Sequence, residues 1–144
     1  MTQLLDDLSG GNLLLLKVLL TSAVFTSAGL QVFLAARFYE ASTIPPVSAG
    51  TASRVHRVNG RATIALAVLV GFTCLAGPAG PLSPTRVLLH SVFGSLVFAL
   101  LAFKYAVLKL ARGADRFLPA IGTGLFLSFA AIWATSVADY IVAR

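Results

Sequence analysis

Residues 87–110 read VLLHSVFGSLVFALLAFKYAVLKL, and this stretch decides the fold class. It contains no acidic residue, and its first basic residue is Lys104, so residues 87–103 carry no Lys, Arg, Asp or Glu. A helix needs about 20 mainly apolar residues to cross the hydrocarbon core of a bilayer. The stretch therefore predicts a transmembrane helix.

Three further stretches have similar length and apolarity, at residues 13–38, 58–76 and 118–142. Helix-capping and helix-breaking residues flank them, with Asn12 before the first and Gly77-Pro78 after the second. The connections are short, which predicts that consecutive helices pack as antiparallel neighbours. We expect one all-α domain over residues 1–144, an integral membrane four-helix antiparallel up-down bundle with both termini on the same side.

The composition excludes a soluble domain. Hydrophobic residues make up 58% of the chain and charged residues 11%, whereas a soluble domain is about a quarter charged. The pI of about 10.3 does not indicate nucleic-acid binding, because no basic stripe with exposed aromatics is present. Cys74 is the single cysteine, so one chain forms no disulfide and no cysteine-based metal site. The N-terminus lacks signal-peptide features, and we expect the first span to stay in the mature protein.

The basic residues predict an orientation. Eight lie near the first and third loops: Arg37, Arg54, Arg57, Arg61, Lys104, Lys109, Arg112 and Arg116. Three lie toward the side of the termini: Lys17, Arg86 and Arg144. By the positive-inside rule the first and third loops are cytoplasmic and both termini are outside.

The two histidines each precede a glycine by four residues, as His56 with Gly60 and His90 with Gly94. A histidine that binds haem iron from a helix needs a small residue on the same face, so that the porphyrin lies against the helix. The alternative is an interfacial His56 and a hydrogen-bonded His90 inside the bundle. His56 is predicted near the cytoplasmic surface and His90 near the outer surface, so one chain cannot bring both to one haem. His90 is then the best single candidate for a metal ligand.

Two groups of polar residues have unusual membrane depths. Lys17 and Asp139 are predicted at the depth of His90, Cys74 and Thr73. The group is either a structural Lys17–Asp139 pair or a polar pocket for a quinone headgroup, a proton path or a haem edge.

The second group lies in the cytoplasmic half and comprises Arg57, Arg61 and Lys104. These side chains either reach lipid phosphates or bind an anionic group such as haem propionates. The sequence contains no catalytic triad, carboxylate pair or phosphate-binding loop, so the chain is not expected to be an enzyme by itself.

Over nearly its whole length the chain resembles a family of four-span bacterial membrane proteins of unknown function with a cytochrome-b-like histidine pattern. The matching residues are Lys17, His56, Arg57, Gly60, Arg61, Cys74, Arg86, His90, Ser91, Gly94, Lys104, Leu118, Pro119, Gly122, Gly124 and the WATS segment at 133–136.

The resemblance implies an electron-transfer ancestry, a bacterial cytoplasmic (inner) membrane location and haem b between two histidines. In the family pattern a histidine precedes the cysteine of the second helix and faces the third helix, whereas this chain has Thr73. A second haem ligand would then be Lys17, water, or a histidine of another chain, including His90 of a second copy. Loss of haem with retention of the scaffold is equally compatible.

A local resemblance covers eight residues. The segment Ser53-x-x-His56-Arg57-x-x-Gly60 is similar to one in the membrane anchor of succinate dehydrogenase, where the Ser and Arg lie beside the quinone. It implies a cytoplasmic entrance that faces a quinone or a propionate.

These observations lead to three hypotheses about function. The first is a small cytochrome-b-like subunit of a membrane electron-transfer complex of respiratory or photosynthetic type, linked to haem or quinone. The alternative is a cofactor-free structural or assembly subunit. The third is a quinone-binding module without haem. In all three, the partners are the lipid bilayer and other membrane subunits or a second copy, and nucleic acid is not a partner.

Overall fold

The computed structural model describes residues 7, 10–76, 83–110 and 113–142, without the side chains of residues 76, 139 and 142. Within these ranges the chain forms four α-helices: α1 (Leu13–Phe38), α2 (Ala49–Ala76), α3 (Pro84–Leu110) and α4 (Leu118–Val142), with a 3-10 turn at Asp115–Phe117. Each α-helix is long and apolar enough to cross a membrane. The predicted all-α protein with four membrane spans is confirmed.

The predicted bounds are correct for α1 and α4, while α2 and α3 begin earlier than expected. Apolarity alone placed the start of α2 at residue 58, but the helix begins at Ala49, where the hydroxyl of Ser48 accepts a hydrogen bond from the Thr51 amide at 3.1 Å. Pro84 occupies the first position of α3, and the preceding Ser83 accepts from the Arg86 amide at 3.4 Å. Polar first turns with good caps therefore extend both helices beyond their apolar segments. Gly77-Pro78, Arg112 and Arg144 lie outside the described residues.

The helices pack in the order α2, α1, α4, α3. The prediction that consecutive helices are neighbours is correct for α1 with α2 and for α3 with α4. For α2 and α3 the backbones approach at few points along the described residues, and these helices meet through side chains such as Cys74 with His90, whereas α1 packs closely against α4. We call the end where α1 begins and α4 ends the terminal end, and the opposite end the far end.

Polar side chains join α1 to α2 toward the far end. The Ser27 hydroxyl donates to Asn59 Oδ1 at 3.0 Å, and Asn59 Nδ2 donates to the Ser27 carbonyl at 3.0 Å. One turn away, Gln31 Nε2 donates to the His56 carbonyl at 2.9 Å, and His56 Nδ1–H donates to the Gln31 carbonyl at 3.2 Å. Because small and polar residues hold helices together in lipid, these paired bonds fix the register and rotation of α2 on α1.

Aromatic side chains join α1 to α4 nearer the terminal end. The Phe25 ring stacks on Trp133 at 4.9 Å between centroids and on Phe126 at 5.6 Å. Trp133 Nε1–H donates to the Ser22 hydroxyl at 2.9 Å. Small apolar residues and a few larger ones fill the centre of the bundle: Val24, Ala28, Ala67, Val70, Val97, Val107, Ile121, Leu125 and Phe129.

Candidate functional site

A cleft of about 430 Å³ opens between α2 and α3 in the terminal half of the bundle. It exists because the backbones of these two helices approach each other at few points along the described residues. Phe98 of α3 narrows it, since a methyl group added to Gly71 of α2 would lie 3.1 Å from the Phe98 ring. Its wall is mainly apolar, with a few polar residues: Lys17, Thr21, Cys74, His90, Ser91, Ser95 and Ser136. An apolar cleft with few polar groups is typical of a small-molecule site.

The imidazole of His90 is oriented by α4. Thr135 donates its hydroxyl proton to the Ile132 carbonyl at 2.8 Å, so its oxygen accepts the hydrogen bond from His90 Nδ1–H at 3.1 Å. These two hydrogen bonds assign the ring proton to Nδ1 and make Nε2 the acceptor nitrogen. Nε2 lies 3.9 Å from the sulfur of Cys74 on α2. A hydrogen bond on one ring nitrogen that sets the function of the other is usual for functional histidines.

The two glycines that follow the histidines have different surroundings. A methyl group added to Gly94 would meet no atom within 4 Å, so the surface of α3 beside His90 is open. A methyl group added to Gly60 would lie 3.5 Å from the Gln31 amide, which covers the surface of α2 beside His56. The space that the sequence predicted beside both histidines is therefore present only at His90.

Cys74, and not Thr73, is the residue of α2 that faces His90. Thr73 is 4% exposed, lies outside the cleft wall and donates its hydroxyl to the Val70 carbonyl at 2.8 Å. Successive residues of a helix are about 100° apart, so two adjacent positions do not share one face. The expectation that position 73 faces the histidine of the third helix is corrected to position 74.

Lys17 of α1 lines the same cleft and lies within electrostatic range of Cys74. The structure thus brings Lys17, Cys74 and His90 into one site. The side chain of Asp139, the predicted partner of Lys17, lies outside the described residues.

The other predicted site residues lie toward the far end. Eighteen residues of α2 separate His56 from Cys74, which is about 27 Å at about 1.5 Å per residue. Arg61 is thirteen residues from Cys74, or about 20 Å along the helix axis. Arg57 and Arg61 are exposed, and Lys104 is half-buried within electrostatic range of His56. A ligand bound at His90 is therefore distant from all four of these residues.

Sequence reasoning missed Thr135, Phe98 and Gln31. Thr135 lies in the WATS segment that carried part of the family resemblance, but nothing local connects it with a histidine 45 residues earlier. A comparison of membrane depths places the two side chains near the same level, and it does not show that they touch.

We expect Thr135→Val to release the His90 ring. Valine has nearly the same shape but no acceptor, so Nδ1–H loses its partner and the preference for one tautomer falls. The ¹⁵N imidazole spectrum of the protein in lipid nanodiscs measures this, with His56→Ala used to remove the other imidazole signal. In the wild type, His90 should be unprotonated at Nε2. In the variant, the spectrum should show a mixture of the two neutral tautomers of His90.

Ser136→Ala is the control, since Ser136 also donates to the Ile132 carbonyl, at 2.9 Å, and lies next to Thr135. It should leave the His90 spectrum unchanged. A wild-type His90 protonated at Nε2 would contradict the assigned hydrogen bonds.

Comparison with known proteins assigns the chain to a family but does not indicate an activity. No curated protein matches the chain, and no solved structure matches it. The model of DUF6529, a family of unknown function, matches residues 6–143, and the chain therefore belongs to this family.

Proposed function

We propose that this protein is a small subunit of a membrane electron-transfer system with a cytochrome-b-like scaffold, and that it binds a quinone, and not haem b, in the cleft beside His90. The observation that supports this is the His90 ring, which Thr135 holds with its acceptor nitrogen toward an apolar cleft of about 430 Å³. In this proposal the terminal end faces outward from a bacterial cytoplasmic membrane, as the distribution of basic residues predicts.

Haem b between two histidines of one chain does not fit this structure. Two imidazole nitrogens on opposite sides of one iron lie about 4 Å apart, twice a metal–nitrogen bond of about 2.0 Å. His56 and His90 lie toward opposite ends of the bundle, and His56 Nδ1 is bonded to the Gln31 carbonyl. The residue opposite His90 is Cys74, so the donor set is not that of a bis-histidine haem.

A quinone fits the cleft better. Its headgroup is flat and mainly apolar with an oxygen at each end, and such ligands bury most of their surface in clefts of about 300–1,000 Å³. A hydroquinone hydroxyl would donate to His90 Nε2 in place of the Cys74 thiol, and the ring would lie on the open surface beside Gly94. Lys17, Ser91 and Ser95 offer donors for the second oxygen. The gap between α2 and α3 leaves an apolar path for an isoprenoid tail.

A cofactor-free structural subunit is the second candidate. The observation that favours it is the row of exposed apolar side chains on α2, among them Val68 and Leu75, of which Leu75 lines the open gap. In lipid, a transmembrane helix of a larger subunit would pack in such a gap through shape and small residues. This candidate predicts no quinone binding by the purified protein.

The test uses the single tryptophan of the chain, Trp133, as an internal probe. Protein in lipid nanodiscs is titrated with short-tailed ubiquinone and menaquinone analogues, and the quenching of Trp133 fluorescence is recorded. We expect saturable quenching that exceeds that of an unrelated tryptophan-containing membrane protein. Quenching that stays linear and equal to the control would refute the quinone site.

Haem is tested on the same preparation. Protein from haem-supplemented cells is examined by reduced-minus-oxidised spectra and pyridine haemochrome. We expect no stoichiometric haem b. A stoichiometric haem whose bands vanish in His90→Ala would show that the cleft holds haem and would overturn the quinone proposal.

A further inference from the structure

Three arginines form one exposed face of α2 near the far end. Arg54, Arg57 and Arg61 are spaced three and four residues apart, which places them on one side of a helix. All three side chains are exposed. Because α2 begins at Ala49, Arg54 and Arg57 lie on a rigid helix and not on the loop that the sequence predicted.

The contacts of α2 with α1 determine where this face points. His56 and Asn59 are bonded to Gln31 and Ser27 of α1, so their side of α2 faces the bundle. At about 100° per residue, Arg54 and Arg61 lie about 160° and 140° from His56 around the helix. The arginine face is therefore held away from the bundle and toward the surrounding membrane.

The arginines also lie at a defined depth. Residues 62–76 contain no charged residue, so Arg61 marks the edge of the apolar segment. Arg54 is seven residues farther out, about 10 Å along the axis, which spans the headgroup layer. Within the described part of the chain no carboxylate is paired with these three arginines.

Apolar side chains continue the same face into the membrane. Val68, Phe72 and Leu75 follow Arg61 at helical spacing and are 52%, 51% and 90% exposed. Leu75 is fourteen residues from Arg61, about 21 Å, which is a large part of the hydrocarbon thickness of about 30 Å. This face of α2 therefore has a cationic end and an apolar stripe. These match the anionic headgroup and the acyl chain of a phospholipid.

We propose that Arg54, Arg57 and Arg61 bind the phosphate headgroup of an anionic phospholipid whose acyl chain lies along Val68, Phe72 and Leu75. Guanidinium groups bind phosphate oxygens in pairs, and clustered arginines beside a membrane span are typical of anionic-lipid sites. The apolar side chains beside the arginines favour a lipid over a soluble phosphate. The headgroup end of the site is distant from the cleft, since Arg61 lies about 20 Å along α2 from Cys74. The acyl end reaches Leu75, which also lines the cleft, but binding of the headgroup by the arginines does not depend on the quinone proposal.

The test compares two double variants that remove the same charge. Arg57→Gln with Arg61→Gln changes the proposed site, and Lys109→Gln with Arg116→Gln changes exposed residues toward the same end, on and beyond α3. Detergent-purified protein is titrated with phosphatidylglycerol or phosphatidylcholine, and affinity is obtained from thermal stabilisation and from lipid retained in native mass spectrometry.

We expect phosphatidylglycerol, and not phosphatidylcholine, to stabilise the wild type. The affinity should fall at least tenfold in the Arg57/Arg61 variant and change less than twofold in the Lys109/Arg116 variant. Equal unfolding temperatures without lipid would show that both variants fold. Equal losses in the two variants, no loss in the first, or displacement of the lipid by inorganic phosphate at matched concentration would overturn the proposal.

Discussion

Replacing His90 with alanine is expected to weaken quinone binding about tenfold. The change removes the acceptor nitrogen that Thr135 orients toward the cleft, and a hydroquinone hydroxyl would be left without a partner in an apolar site. An unsatisfied buried polar group costs about 1–3 kcal/mol, and about 1.4 kcal/mol corresponds to a tenfold change in affinity. Trp133 quenching in nanodiscs measures the change directly.

His56→Ala is the matched control, because it removes the other histidine at a site about 27 Å along α2 from the cleft. Quinone affinity should stay within twofold in this variant, although the α1–α2 contact through Gln31 is weakened. His90→Gln should recover part of the affinity, since its amide oxygen is also an acceptor. Loss of binding in His56→Ala with retention in His90→Ala would place the ligand toward the far end and refute the cleft as the site.

Replacing Trp133 with alanine is expected to destabilise the folded bundle by about 3 kcal/mol, the lower end of the range for removal of a packed Trp. The change removes the stack on Phe25 and the hydrogen bond to Ser22, which together join α4 to α1. A cavity would remain at this contact, and lipid offers no hydrophobic effect to close it. Unfolding in mixed micelles of increasing SDS content, followed by circular dichroism, measures the loss.

Leu127→Ala on the same helix is the control. Leu127 is 59% exposed, so its side chain faces lipid in the folded and the unfolded bundle, and its loss should cost less than about 1 kcal/mol. The loss of stability in Trp133→Phe should lie between those of Trp133→Ala and Leu127→Ala, because phenylalanine keeps a ring beside Phe25 but loses the hydrogen bond to Ser22. Equal stability of Trp133→Ala and Leu127→Ala would show that the α1–α4 contact does not stabilise the fold.

The two experiments are linked through α4. Thr135, which orients His90, lies two residues after Trp133, which joins α4 to α1. A Trp133 variant that still folds should therefore bind quinone more weakly as well. Because Trp133 is also the fluorescent probe, quinone binding to this variant is measured by extraction and chromatography.

Much of the architecture was predictable because crossing a bilayer is a property of each segment alone. A run such as 87–103 without ionic charge predicts a membrane span whatever packs beside it. Asn12 was predicted to cap α1, and its side chain accepts from the Leu15 amide at 3.0 Å. The separation of His56 from His90 also followed from helix rise and topology, which need no side-chain contact.

The tertiary structure decided which surfaces meet. Helix rotation and neighbour choice depend on close packing between distant residues, such as Trp133 with Ser22 and Thr135 with His90, and no local pattern encodes these pairs. For the same reason the sequence did not show that α2 and α3 leave a cleft, that Cys74 and not Thr73 faces His90, or that Gln31 fills the space beside Gly60. Hydropathy identifies the segments that cross the membrane and helix rise gives the depth of each residue, whereas only packing determines what that residue touches.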